Sequence, residues 1–193
     1  MPVREIPIQT RSKSGYFHSV KNGRSVAYES LLEKKIFLLL EFDENVTSYE
    51  EQPLKVGGYI PDVLAKRDGF PPLLIEVKYS REAGSPDERL QKKISELEKF
   101  CAEKGWEFKM FTEKEIKEPY FGNISFLYRY IRTTVVQEKG ILDFVEKRNE
   151  TTLSELFGSF DPQEIYALLA KRRLSVDLHG ELSASCKVRI SDV

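Results

Sequence analysis

The sequence predicts an α/β N-terminal part followed by a small, mostly helical C-terminal part that ends in a hairpin. Three observations predict it. Apolar residues recur with helical spacing at Leu32, Ile36, Leu39 and Leu40, and again at Leu90, Ile94, Leu97 and Cys101. Between these stretches lie short β-rich runs with turn signals. After about residue 118 helical segments take over, until period-two alternation returns near the C-terminus.

The elements follow in order. Residues 1–28 are polar and read as a loop-like basic arm carrying Arg4, Arg11, Lys13, Lys21 and Arg24. Glu29–Glu41 is the first helix. Val46–Tyr49 and Pro53–Val56 are short strands on either side of Glu50-Glu51-Gln52. Tyr59–Lys66 is a strand interrupted by Pro61, which places it at an edge or a bulge. Asp68-Gly69 is a hairpin turn, and Leu73–Lys78 is the returning strand. Ser85, Pro86 and Glu88 read as N-cap, first-turn proline and capping-box glutamate of a crossover helix that ends at Gly105. Trp106–Phe111 is the next strand.

In the C-terminal part, helices are expected at about 123–136, 138–148 and Leu153–Phe157. A further helix opens at Asp161-Pro162, with Asp161 as N-cap and Glu164 closing a capping box. Leu174–Leu178 and Leu182–Ile190 alternate around His179-Gly180. Short helices followed by a hairpin give the winged-helix order, with its wing tip at His179-Gly180-Glu181. The domains are therefore 1–118 and 119–193.

Composition excludes several function classes. The 193 residues hold 30 Lys+Arg and 31 Asp+Glu, a formal net charge of −1, which argues against a general nucleic-acid coat. The longest stretch free of Asp, Glu, Lys and Arg is Pro119–Tyr128, far short of the roughly 20 apolar residues of a membrane span. The N-terminus has no apolar signal region, so a cytoplasmic protein without a membrane partner is expected. Two Cys without metal spacing read as reduced thiols. With two His in the chain, any metal is expected on carboxylates, hence Mg²⁺ or Mn²⁺.

One constellation carries chemistry: Pro61-Asp62 and, fourteen residues on, Glu76-Val77-Lys78. Residues two apart on a strand share a face, so Glu76 and Lys78 project together. Pairing across the Asp68-Gly69 turn brings Asp62 beside them. Two carboxylates and a lysine at a sheet edge suit a divalent cation next to a phosphate. The bland alternative is a surface ion pair. Against it, Leu73, Leu74, Ile75 and Val77 make the strand apolar, and charge in a buried strand is expensive. On the first helix, Glu33 falls on the apolar arc between Leu40 and Phe37; Glu29 also lies within the arc, and Glu41 lies away from it. The wheel alone leaves Glu29 and Glu33 both open.

This set resembles the PD-(D/E)xK nuclease superfamily, and its surroundings resemble the TnsA family of transposon end-cleaving endonucleases. The matching stretches are Phe17-His18-Ser19 with Gly23-Arg24, Ser30-Leu31-Leu32-Glu33, Phe37 to Phe42, Val46, and Glu51-Gln52-Pro53. The aspartate and Glu-Val-Lys follow, then Trp106-Glu107-Phe108 and Phe111 to Ile116. The resemblance spans about residues 15–117. It implies a restriction-endonuclease-like core with a winged-helix-like C-terminal domain. It also implies cleavage of the non-transferred strand at transposon ends, with two Mg²⁺ ions. Double-stranded DNA, a TnsB-type DDE recombinase and a TnsC-type AAA+ ATPase are the implied partners.

By the resemblance, Glu33 is the helix glutamate, Asp62 bridges the metals and Lys78 is the catalytic lysine. Glu76, with the Val77 carbonyl, completes one metal site, at a position where the best-known relatives have Gln. Gln52 weighs between a metal-water contact and a scaffold role, the scaffold role favoured. Lys92 and Lys93 weigh between phosphate contacts and a solvated face, and Arg24 is a further candidate DNA contact. Lys171, Arg172 and Arg173 weigh between helix-dipole compensation and a phosphate or partner contact. The alternatives are a stand-alone phage or mobile-element PD-(D/E)xK nuclease and a non-catalytic adaptor. Residues 1–35 carry seven Lys/Arg and three Asp/Glu, so weak, salt-sensitive DNA binding by the chain alone is expected.

Overall fold

The structure is a computed structural model and describes residues 13–84 and 86–191. Arg4 and Arg11 of the expected basic arm lie outside these residues, as does Ser85. The chain forms two compact units, Met1–Ile116 and Lys117–Val193.

The first unit opens with a hairpin where the sequence suggests a loop. Strands β1 (Gly15–Ser19) and β2 (Arg24–Tyr28) pair antiparallel. Their turn closes with Gly23 N–H donating to Val20 O at 3.1 Å, Gly23 standing at φ +62°. Phe17, Ser19 and Val26 are buried on one side of the hairpin, while Tyr16 and Ser25 are exposed. Lys21 is no free arm residue: its ammonium donates to Leu40 O at 2.9 Å, Val46 O at 2.6 Å and also to Asp43 O. It thereby caps the C-terminal end of helix α1 (Leu31–Phe42), where a cation suits the helix dipole. Ser30 caps the other end, accepting from Glu33 N–H.

A mixed sheet follows in the order β3 (Val46–Glu51), β4 (Val63–Arg67), β5 (Phe70–Val77), β6 (Glu107–Phe111). The first three strands are antiparallel and β6 is parallel to β5. The parallel pair requires a crossover, supplied by the short α2 (Ser80–Ala83) and the long α3 (Glu88–Lys104). Helix α3 begins one residue after Asp87, whose carboxylate accepts from Arg89 N–H; Asp87 is the N-cap, and Glu88 opens the helix rather than closing a capping box. Pro53–Val56 is not a strand; Val56 makes only a lone bridge to Tyr59.

The sheet is covered on both faces. On one, Leu64 and Leu74 pack with Val56, Leu97 and Cys101 under α3, flanked by Tyr59, Phe100 and Trp106. On the other, α1 lies against the β1–β2 hairpin and β3, with the Phe37 ring between Phe17 (6.1 Å) and Tyr49 (5.6 Å).

The second unit is mostly helical, with three short strands. Helix α4 (Tyr120–Leu127) runs into a 3₁₀ turn at Tyr128–Tyr130, short of the expected end near 136. The β-branched run Thr133 to Val136 does not continue the helix, and Val136 is 82% exposed. Then come α5 (Glu138–Glu146), β7 (Thr151–Thr152), α6 (Leu153–Phe157), α7 (Pro162–Ala170), β8 (Leu174–Ser175) and β9 (Lys187–Ile190). The last three strands pair in the order β7-β9-β8. Asp161 caps α7, but Glu164 does not reach back to it; its carboxylate accepts from Gln137 N–H at 2.8 Å. The alternating C-terminal runs shorten to two and four residues of strand. The connecting segment is fastened instead by Asn123, whose amide donates to Leu178 O and Gly180 O, both at 2.8 Å.

Candidate active site

Asp62 and Glu76 reach one site because their strands neighbour each other. Val63 pairs with Ile75, so Asp62 and Glu76 flank the end of the β4–β5 ladder. Asp62 stands in a bend immediately before β4, not within the strand. Gln52 fixes its backbone: Gln52 N–H donates to Asp62 O at 2.8 Å from a left-handed φ of +45°. That is the kind of strained backbone a site can hold in place. Leu64 and Leu74 face α3, so by the two-residue period of strands Glu76 projects from that same face, and Asp62 reaches the neighbouring Val77 N–H.

Glu76 is 0% exposed. Its Oε1 accepts from Lys78 Nζ at 2.6 Å and from the Tyr59 hydroxyl at 2.5 Å. Its Oε2 is buried and has no hydrogen-bond partner. A buried acceptor without a donor costs about 1–3 kcal/mol. Asp62 Oδ2 accepts from Val77 N–H at 2.7 Å and lies 3.9 Å from Lys78 Nζ. Lys78 also donates to the Val77 carbonyl at 3.1 Å, and its own N–H donates to Phe111 O at 3.0 Å. Glu33, on the first turn of α1, accepts from Glu29 N–H at 2.8 Å. Glu29 thus contributes its backbone to Glu33.

The electrostatics are those of crowded negative charge. Burial, then the charge of Glu76, pushes the Asp62 carboxyl up to about 7, with Lys78 and the Val77 N–H pulling the other way. Glu33 is raised chiefly by burial, against the hydrogen bonds from Glu29 and Ser30. For Lys78 burial works against the ammonium, but Asp62 and Glu76 outweigh it and raise its pKa. Tyr59 is raised well above a normal phenol, first by burial and then by Asp62 and Glu76. A cation placed among these groups would relieve each of the carboxylates.

The all-oxygen donor set and the orphaned Glu76 Oε2 suit a hard divalent ion such as Mg²⁺ or Mn²⁺. Among the described residues, however, no three His, Cys, Asp or Glu side chains already converge at metal-ligating spacing. Lys78 holds the position on Glu76 Oε1 that such a cluster would compete for.

Beside Lys78 opens a cleft of about 530 Å³, lined by Arg81, Glu82, Asp87, Arg89, Leu90 and Lys93. The remaining sequence candidates are spread more widely. Lys92 is exposed on α3, while Lys93 places its ammonium 3.5 Å from the centre of the Tyr59 ring. Arg24 makes a bidentate pair with Glu51 at 2.6 and 2.7 Å. In the second unit Lys171 donates to Thr133 O at 2.6 Å and Arg173 pairs with Glu138 at 3.0 Å. Arg172 is half-buried at φ +59°. Sequence reasoning missed Tyr59, Arg81 and Arg89. The position of Tyr59, three residues before Asp62 at a Gly-Gly turn, was the available signal for it.

Asp62, just before β4, and Glu76, on the neighbouring β5, thus meet at one edge of a mixed sheet flanked by helices, in an α/β unit. Residues 43–113 match the family model described as TnsA-like endonuclease N terminal, so this stretch is similar to that family. The matched segment holds Tyr59, Asp62, Glu76 and Lys78, and begins after Glu33. No curated protein matches the chain. Among the described residues no helix is long and apolar enough to cross a membrane.

Proposed function

We propose that this chain is a Mg²⁺- or Mn²⁺-dependent DNA endonuclease that cuts the non-transferred strand at transposon ends. Its proposed partners are a TnsB-type DDE recombinase and a TnsC-type AAA+ ATPase, as the family match suggests. The observation that carries the metal-dependent reading is Glu76: a fully buried carboxylate with one oxygen on Lys78 and Tyr59 and the other without a donor.

Asp62 and Glu76, with the Val77 carbonyl, would hold the metal, and Glu33 would support a second ion. The metal, when bound, polarises the scissile phosphoryl oxygen and acidifies a water. The chain's own residues do the rest. The Val77 N–H and the Gln52 N–H hold Asp62 in place by its carboxylate and its carbonyl. Lys78 carries a firmly protonated ammonium at the mouth of the cleft, where it orients water or offsets charge developing on the phosphate. The reading is tested on duplex DNA bearing the element's ends, with and without the recombinase and ATPase. Strand-specific, metal-dependent cuts by the wild type and none by Asp62→Ala are expected. Efficient cutting of arbitrary DNA by the chain alone would point to a stand-alone nuclease instead.

The cleft supplies a substrate track. Neither Arg81 nor Arg89 has an ion-pair partner among the described residues. In a cleavage-dead Asp62→Ala background, removing both guanidinium groups is expected to lower the slope of log affinity against log salt by about 2. Fluorescence anisotropy across a salt series measures it, and an unchanged slope takes both arginines off the DNA.

For the second unit we propose a winged-helix-like domain, supported by its element order from α5 onward and by the strand order β7-β9-β8. Helix α7, which would be the reading helix of such a domain, is mostly buried and touches α4, α5, α6 and β8. That favours a scaffolding or partner-binding role for this unit over reading of a DNA groove.

A further inference from the structure

We propose that Tyr59 is the positioning residue for Glu76. It holds Oε1 so that Oε2 stays aimed at the metal site when Lys78 is engaged with the substrate phosphate. The inference rests on the metal-dependent nuclease reading above.

The geometry behind it is an asymmetry. A free carboxylate presents two equivalent oxygens. Here both donors, Lys78 Nζ at 2.6 Å and Tyr59 OH at 2.5 Å, fall on Oε1, and Oε2 has none. Lys78 is asked to do two things, pair with Glu76 and serve the phosphate. Whenever it does the second, Tyr59 is the hydrogen bond that still fixes the Glu76 carboxylate.

Tyr59 is itself firmly held. Its N–H and C=O exchange hydrogen bonds with Val56 at 2.8 and 2.7 Å. Its ring packs against the Val56, Leu64, Leu74, Leu97 and Cys101 cluster. The Lys93 ammonium sits 3.5 Å from the ring centre, and a cation on the ring face makes the phenol a stronger donor. Partners of metal ligands commonly set affinity in this way, their loss costing about 10–100-fold.

The experiment titrates Mn²⁺ into the full chain by calorimetry and reads kcat and KM for duplex cleavage in parallel, with melting curves as control. Tyr59→Phe is expected to weaken Mn²⁺ binding about 10-fold or more and to lower kcat while leaving the DNA KM unchanged. Lys93→Gln, which keeps the hydroxyl, is expected to shift Mn²⁺ affinity in the same direction by about 2–5-fold. A Tyr59→Phe protein that melts as the wild type does and binds Mn²⁺ equally well overturns the proposal and leaves the nuclease reading intact. Should Tyr59→Phe not fold, unchanged Mn²⁺ affinity in Lys93→Gln overturns it. A wild type that binds no Mn²⁺ overturns the metal-dependent reading, and the Tyr59 proposal with it.

Discussion

Asp62→Asn is expected to lower metal-dependent cleavage by about 10³-fold or more while leaving the protein folded and, above neutral pH, more stable than the wild type. On the proposed function, the catalytic loss follows from removing a metal ligand, since a bound metal would supply several kcal/mol of transition-state stabilisation. The amide keeps the shape and can still accept from Val77 N–H, so the β4–β5 edge is preserved. The stability gain follows from the raised pKa. Burial and the charge of Glu76 hold the folded Asp62 carboxyl at about 7, whereas the unfolded chain ionises it near about 3.9. Between these values the folded form binds more protons, so stability falls as pH rises through the window. The contribution is complete below about pH 4 and lost above about pH 7. The variant lacks this slope, and the difference at pH 8 is about 2–4 kcal/mol for a side chain only 16% exposed. Urea titrations of the metal-free proteins at pH 5 and pH 8 measure it. Parallel pH dependence of the two proteins would refute a raised Asp62 pKa, and retained Mg²⁺-dependent nicking by the variant would remove Asp62 from the chemistry.

The site motif was legible because it uses the strongest local regularity of a strand. Glu76 and Lys78 are two apart, the Asp68-Gly69 turn sits between them and Asp62, and Gly69 takes φ +70° there. What surrounds the motif was less legible, because the partners come from elsewhere in the chain. Tyr59 lies outside any regular element and reaches Glu76 from seventeen residues away. The β1–β2 hairpin was masked by polar composition, although Asn22-Gly23 is a hairpin signal in its own right. Its cations looked like an arm because charge counts do not reveal internal partners. Lys21 closes the end of α1, and Arg24 pairs with Glu51. At the start of α3 it is Asp87 whose carboxylate accepts from Arg89 N–H. The C-terminal alternation was real only at its ends: Leu174 and Val188 are buried, while the residues between them follow Asn123 and the turn.

Glu41 shows the same cause at larger energetic scale and yields the second large effect: Glu41→Ala is expected to destabilise the first unit by about 3–5 kcal/mol. The helical wheel places Glu41 off the apolar arc, yet it is 4% exposed. The hairpin supplies the missing cover. Ser19 Oγ donates to Glu41 at 2.8 Å, Val20 N–H at 2.7 Å, Lys21 N–H at 3.0 Å and the Tyr49 hydroxyl at 2.7 Å. Truncation strands four donors, two of them backbone N–H groups. Glu41→Gln keeps an acceptor on one side only and is expected to fall between alanine and wild type. Chemical denaturation of the three proteins measures the series, and a Glu41→Ala protein as stable as the wild type would refute the network. The contrast with Asp62 separates two kinds of buried acid in one unit. Glu41 has a donor on each oxygen and is expected to be needed for folding and not for cleavage per folded molecule. Asp62 is crowded by other acids, so its neutral amide is expected to fold better and cut nothing. The relation of each carboxylate to its donors, rather than its burial, separates the structural acid from the one proposed to hold a cation.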